Sequence, residues 1–192
     1  MGKGRLEAFS DGVIAIIITI MVLELKVPHG ADLAALRPVV PVFLSYVLSF
    51  VFVGIYWNNH HHLLHATQHV SGPVLWANLH LLFWLSLVPV GTAWMGDTGF
   101  ALWPVVLYGV DLLLCSLAFY VLSHALIRQH GAQSLLATAF GRDRKGKISS
   151  ALYVAAIALA FVHPWIAIAI YIGVALIWLV PDRRIERAIK PD

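Results

Sequence analysis

Between Asp11 and Glu24 the chain carries no charged side chain, and its run Val13 to Leu23 is interrupted by a single hydroxyl, Thr19. A helical stretch of this kind is either buried on all sides or crosses a bilayer, whose hydrocarbon takes roughly 20 apolar residues. Composition decides between the two. Of 192 residues, 60% are hydrophobic and 12% are charged, against about 25% charged in soluble domains. That leaves too little polar surface to cover a water-facing globule. The expected fold is an all-α integral membrane protein in the lipid bilayer.

Apolar runs of similar character recur along the chain. They place spans at about 9–25, 37–65, 73–94, 100–127, 148–162 and 165–180, a single six-helix transmembrane domain over 1–192 with a charged tail at 182–192. Pro38 and Pro41 fall in the first turns of the second span, where a missing donor does least harm. Pro89 with Gly91 should bend the third, and Asp97 should sit in a tight loop after it. The run Arg142 to Lys147 closes a long polar segment that begins at Arg128. Eleven of the 13 lysines and arginines lie in the N-terminus, that segment or the tail; only Lys26 and Arg37 lie on the other side. The positive-inside rule then puts both termini in the cytoplasm, and it accounts for the basic balance with no nucleic acid. Glu7 and Asp11 interrupt the head, so a cleaved signal peptide is not expected. Cys115 stands alone, which excludes a disulfide framework and a cysteine metal site.

The first span has a pattern of its own. At 100° per residue, Ile16, Thr19, Ile20 and Leu23 share one helical stripe, and Ser10 and Asp11 project to the opposite side. Ordinary packing of a membrane helix satisfies the same periodicity, and Ser and Asp near a helix start often act only as caps. The head Arg5-x-x-x-Phe9-Ser10-Asp11, followed by an Ile-rich run, resembles the signature of the transmembrane-protein-175 family of potassium channels. That family comprises lysosomal channels in animals and bacterial homologues. Tyr56-Trp57-x-x-His60-His61, then Asn78, then Leu87-Val88-Pro89 continue the likeness, which covers the first half of the chain closely and the second half only as hydropathy.

The resemblance implies a tetrameric, potassium-permeable channel in a bacterial cell membrane, with the first helix of each chain lining a central pore. It implies a hydrophobic constriction at Ile16, a ring of Thr19 hydroxyls one turn beyond, and Ile20 and Leu23 completing the lining. It also implies that Arg5, Ser10 and Asp11 join a polar network with histidines of the second and third helices, for which His60, His61 and His80 are the candidates. Monovalent cations would be the permeant species, with no cofactor besides the potassium ion itself. No Thr-Val-Gly-Tyr-Gly filter or re-entrant loop is expected, so selectivity should be modest.

Other features are weighed beside this. His61, His65 and His69 are four apart and share a helix face, but between Glu24 and Asp97 the only acid is Asp32, so no metal site is expected. Asp111 is an acid within an apolar run, by default a functional candidate. With the membrane histidines it supports a competing class, a proton- or cation-coupled secondary transporter. Such carriers show internal repeats, and none is convincing here. Walker, Gly-x-Gly-x-x-Gly, Gly-x-Ser-x-Gly and His-Glu-x-x-His motifs are absent, so an enzyme is not expected.

Overall fold

The computed structural model describes residues 2–131, 133–134, 136–137 and 143–179. The expected charged tail at 182–192 and residue Arg142 of the basic run lie outside these.

The longest helix, Leu102–His130 (α5 in chain order), is the one around which the others gather. Preceding it are α1 (Lys3–Leu23), α2 (Val40–His65), α3 (Gly72–Leu85) and α4 (Val88–Asp97), and following it are α6 (Arg144–Ala160) and α7 (Pro164–Leu179). Helices α3, α4, α6 and α7 all pack on α5, whereas α1 rests mainly on α2, α4 and α3 at the edge of the bundle. The fully buried Tyr108, Leu112, Cys115 and Leu122 of α5 form the middle of the core. All regular structure among the described residues is helical.

Four runs are long and apolar enough to cross a membrane: Lys3–Leu23, Val40–His65, Gly72–Asp97 and Leu102–His130. Helices α6 and α7 are shorter, 17 and 16 residues. Contacts near the helix ends show that the first three runs alternate in direction. Lys3 Nζ donates to the His65 carbonyl, which places the start of α1 beside the end of α2. Lys26 lies 3.9 Å from Asp97, which places the far end of α1 beside the far end of α4.

Several boundaries differ from the expected ones for physical reasons. Helix α1 begins at Lys3, so Ser10 and Asp11 stand about two turns into a helix and are not caps. A hydropathy window finds hydrocarbon-facing residues, and the helix extends past them. The third run is indeed broken, between α3 and α4 at Ser86–Leu87. Pro89 has no N–H to offer the Leu85 carbonyl, and its ring crowds that carbonyl. Asp97 ends α4 instead of sitting in a loop, and the turn is made by Gly99 and Phe100 at φ of 59° and 64°. Arg144, Lys145 and Lys147 are helical, because Asp143 caps α6 by accepting from the Gly146 N–H at 2.8 Å.

Two glycines set how closely helices meet. A Cβ on Gly96 would lie 2.7 Å from Val42 Cα and 2.6 Å from Ser45 Oγ, so α4 approaches the backbone of α2 only because that atom is missing. Gly109 likewise leaves room for the Tyr171 hydroxyl, which donates to the Val105 carbonyl at 3.0 Å and ties α7 to α5.

Candidate pore face and the polar lock behind it

Helix α1 has two different sides. Leu6, Ser10, Ile14, Ile17 and Met21 recur at spacings of three and four and are buried against the bundle. The opposite side is free: Ile16 is 58% exposed, Ile20 44% and Leu23 78%, and Thr19 is exposed between them. All four residues of the expected stripe therefore share one unpartnered face, which runs about 10 Å along the helix at 1.5 Å per residue. Thr19 Oγ1 lies 3.0 Å from both the Ala15 and Ile16 carbonyls. Its hydrogen goes back to its own helix, so the group presents only oxygen lone pairs outward. That is the polarity a cation requires.

Behind this face a directed chain of hydrogen bonds joins three helices. His60 Nε2 lies 2.7 Å from Asn78 Oδ1, Asn78 Nδ2 donates to Ser10 Oγ at 2.9 Å, and Ser10 Oγ donates to the Leu6 carbonyl at 2.8 Å. Because the Asn78 amide nitrogen is committed to Ser10, its oxygen accepts, and His60 carries its hydrogen on Nε2. His60, Asn78 and Ser10 are all fully buried. The remaining nitrogen, His60 Nδ1, is buried with no hydrogen-bond partner.

A second set of contacts lies alongside. Trp57 Nε1 donates to Asp11 Oδ1 at 3.0 Å, and the Trp57 ring stacks on His61 at 6.1 Å between centroids. His61 Nδ1 is 3.9 Å from Glu7 Oε1. The structure thus brings Ser10 to His60 through Asn78, gives Asp11 an indole instead of an imidazole, and sets His61 against Glu7. His80 does not join. It is exposed on α3 and accepts from Trp84 Nε1 one turn along the same helix. Arg5 is exposed and has no side-chain hydrogen bond or ion pair among the described residues, and Phe9 is 49% exposed. Asn78 and Trp57 carry roles that sequence reasoning did not give them. Both stand in the segment that resembles the family, yet neither is ionisable, and a search for partners to an acid favours histidines.

Elsewhere, α2 ends at His65, so His69 leaves the face shared by His61 and His65. Among the described residues no group of three or more His, Cys, Asp or Glu side chains could hold a metal ion. Asp111 sits on α5 with both carboxylate oxygens buried and without a hydrogen-bond partner. A hydroxyl cluster that sequence reasoning missed joins α2, α4 and α5. Ser49 Oγ is 2.8 Å from Tyr108 OH and 2.6 Å from Thr92 Oγ1. Its one legible signal is a set of hydroxyls inside otherwise apolar spans.

Comparison with known proteins bears on these residues directly. The family model described as Endosomal/lysosomal potassium channel TMEM175 matches residues 5–89, the segment that holds α1, the lock and the α3–α4 break. A potassium channel of Chryseobacterium sp. (strain P1-3) is 56% identical over 192 residues, the whole of both chains. The human endosomal/lysosomal proton channel TMEM175 is 38% identical over 96 residues, which is 43% of this chain and 19% of that protein. Among solved structures, a crystal structure of a lysosomal potassium-selective channel TMEM175 homolog from Chamaesiphon minutus matches with a TM-score of 0.78, at 26% identity, over 98% of each chain. With its signature segment matched and a relative aligned from end to end, this chain belongs to the TMEM175 family.

Proposed function

We propose that the chain is a potassium-permeable channel, assembled from four copies around a central pathway lined by α1. The observation that carries this reading is the free face of α1. A helix at the edge of a bundle leaves Ile16, Thr19, Ile20 and Leu23 unpartnered, while the opposite face is locked by buried hydrogen bonds. One chain of this size has no room for an aqueous pathway within its packed core, so symmetry around an axis is the natural way to make one. On that axis Ile16 would form a dewetting constriction. The outward lone pairs of Thr19 would replace part of the hydration that a cation loses there. With hydroxyls and no carbonyl cage, preference for potassium over sodium would be modest. Full-length likeness to a protein named a potassium channel supports the ion.

The proposed setting is a bacterial plasma membrane, with six crossings and both termini cytoplasmic. Alternation of the first three helix runs supports this, and α6 and α7 make the last two crossings with snorkelling ends. Lys3, Arg128, Arg144, Lys145 and Lys147 then gather on the cytoplasmic side. A second reading is favoured by Asp111, whose unpartnered oxygens within the membrane suit a proton- or cation-coupled secondary transporter.

Ion flux through purified protein in liposomes separates the two readings. A channel passes potassium down its gradient with no coupled proton movement, and Asp111→Asn leaves that flux intact. Potassium movement that requires a proton gradient, and that is lost in Asp111→Asn, would establish the carrier instead.

A further inference from the structure

The turn that joins α2 to α3 is fastened to the end of α5 by side chains that the pore does not use. His130 Nε2 lies 3.1 Å from the backbone nitrogen of Gln68 and 3.4 Å from that of His69, and its Nδ1 lies 2.9 Å from the Leu126 carbonyl. An amide N–H can only donate and a carbonyl can only accept. These contacts therefore fix the ring as neutral, with the hydrogen on Nδ1 and the lone pair of Nε2 turned to the two amides. The adjacent Gln129 grips the same turn. Its oxygen accepts from Ser71 Oγ at 2.7 Å and its nitrogen donates to the His69 carbonyl at 2.9 Å.

A proton added to His130 would go to Nε2, where it would face two N–H groups. Both bonds would become repulsive, while the Gln129 pair would be unchanged. The titratable and charged side chains on the segments around the ring are His62 and His65 at the end of α2, His69 on the turn, Lys3 at the start of α1 and Arg128 on α5. They are basic, and no described ion pair gives His130 a carboxylate. The C-terminal end of α5 favours a cation there, but nothing among the described residues restores the two amide bonds once Nε2 carries a hydrogen.

We propose that His130 is a pH-responsive latch that holds the Gln68 and His69 amides of the α2–α3 turn to α5 when neutral and lets them go when protonated, leaving the turn held by Gln129 alone. The turn leads from the helix that carries His60 to the helix that carries Asn78, the two groups that seat α1 through Ser10. Release loosens that seat and lowers ion flux at mildly acidic cytoplasmic pH. This consequence for flux rests on the channel reading and topology above; the latch itself does not.

Hydrogen–deuterium exchange on the full chain tests the latch, following peptides over residues 66–71 near pH 7.5 and near pH 5.5, either side of the ordinary histidine range. Rates are corrected for intrinsic exchange. In the wild type, protection at Gln68 and His69 should fall about tenfold on acidification, the scale of one to two lost hydrogen bonds. His130→Gln, whose amide oxygen accepts without titrating, should stay protected at both pH values. His130→Lys, which can only donate, should be unprotected at both. Wild-type protection that ignores pH, or a His130→Gln chain that loses it as the wild type does, overturns the latch. Potassium flux from liposomes holding the same proteins tests the coupling. Flux that falls with acid in the wild type but not in His130→Gln supports it, and equal flux at both pH values beside a responsive turn refutes it. Flux absent from all three proteins at both pH values would count against the channel reading and leave the exchange result standing.

Discussion

Asn78 reaches Ser10 from α3 across 2.9 Å and takes its own hydrogen bond from His60 of α2, so one amide holds the back of α1 to two helices at once. Every donor and acceptor in this chain has one direction, and all three side chains are fully buried. Truncating Asn78 therefore orphans two groups together. Asn78→Ala is expected to cost about 1–3 kcal/mol for the unsatisfied polar atoms, and Ser10→Ala less, since only one bond to Asn78 is lost. Thermal unfolding of the purified single and double variants checks this. The double variant should be less destabilised than the two singles added together, which is the signature of direct coupling.

Asp11 should matter for assembly more than for ion choice. Its carboxylate faces the Trp57 indole at 3.0 Å and not the free face of α1. Asp11→Ala should lower the yield of assembled protein and the total flux, with the potassium-to-sodium ratio unchanged. Trp57→Phe keeps the ring stack on His61 but removes the donor, so it should show the same loss in weaker form. Gel filtration together with flux measures both. An Asp11→Ala protein with normal assembly and flux would remove this contact from the lock.

Much of α1 was legible because a helix period belongs to the backbone and needs no knowledge of neighbours. Ile16, Thr19, Ile20 and Leu23 share a face in any α-helix, and Ser10 falls behind them. The partners of the lock were less legible. His60 and His61 differ by 100° around α2, and only packing shows that the first meets Asn78 while the second turns to Glu7. His80 has the right chemistry on the wrong face of α3. The Ser49, Thr92 and Tyr108 cluster draws single hydroxyls from three helices, and no local pattern marks it. The start of α6 did carry a signal, since Asp143 stands three residues before Gly146, but a basic run reads as a loop until its cap is recognised.

Gly96→Ala should be strongly destabilising although it is conservative in hydropathy. The added methyl meets Val42 Cα at 2.7 Å, and backbone cannot rotate away as a side-chain tip can. Overpacking of this kind costs about 1–3 kcal/mol. Gly54→Ala, on the neighbouring α2 with nothing within 4 Å of its added carbon, is the matched control and should be near neutral. Unfolding midpoints of the two variants, measured side by side, decide the point.

The proposed topology makes its own demand. A reporter fused after Asp192, or inserted near Lys145, should read cytoplasmic, and one inserted near Asp97 should read external. Opposite locations for the first two would mean that α6 and α7 do not both cross.

The most direct test of the central claim asks whether the free face of α1 lines the ion path. In a Cys115→Ala background, which removes the one native thiol, single cysteines are placed at Ile16, Thr19, Ile20 and Leu23. Ile17 and Met21, buried against the bundle at 4% and 1% exposure, serve as controls. Silver ions, small enough to follow potassium, react with thiolate that water can reach. Potassium current should be blocked at the four stripe positions and spared at the two controls. Leu23 and Thr19 should react faster from outside than Ile16, which lies deeper and reacts only when its hydrophobic ring is wet. Equal block on both faces of α1, or block at Ile17 and Met21 alone, would contradict the assignment of α1 as the pore helix.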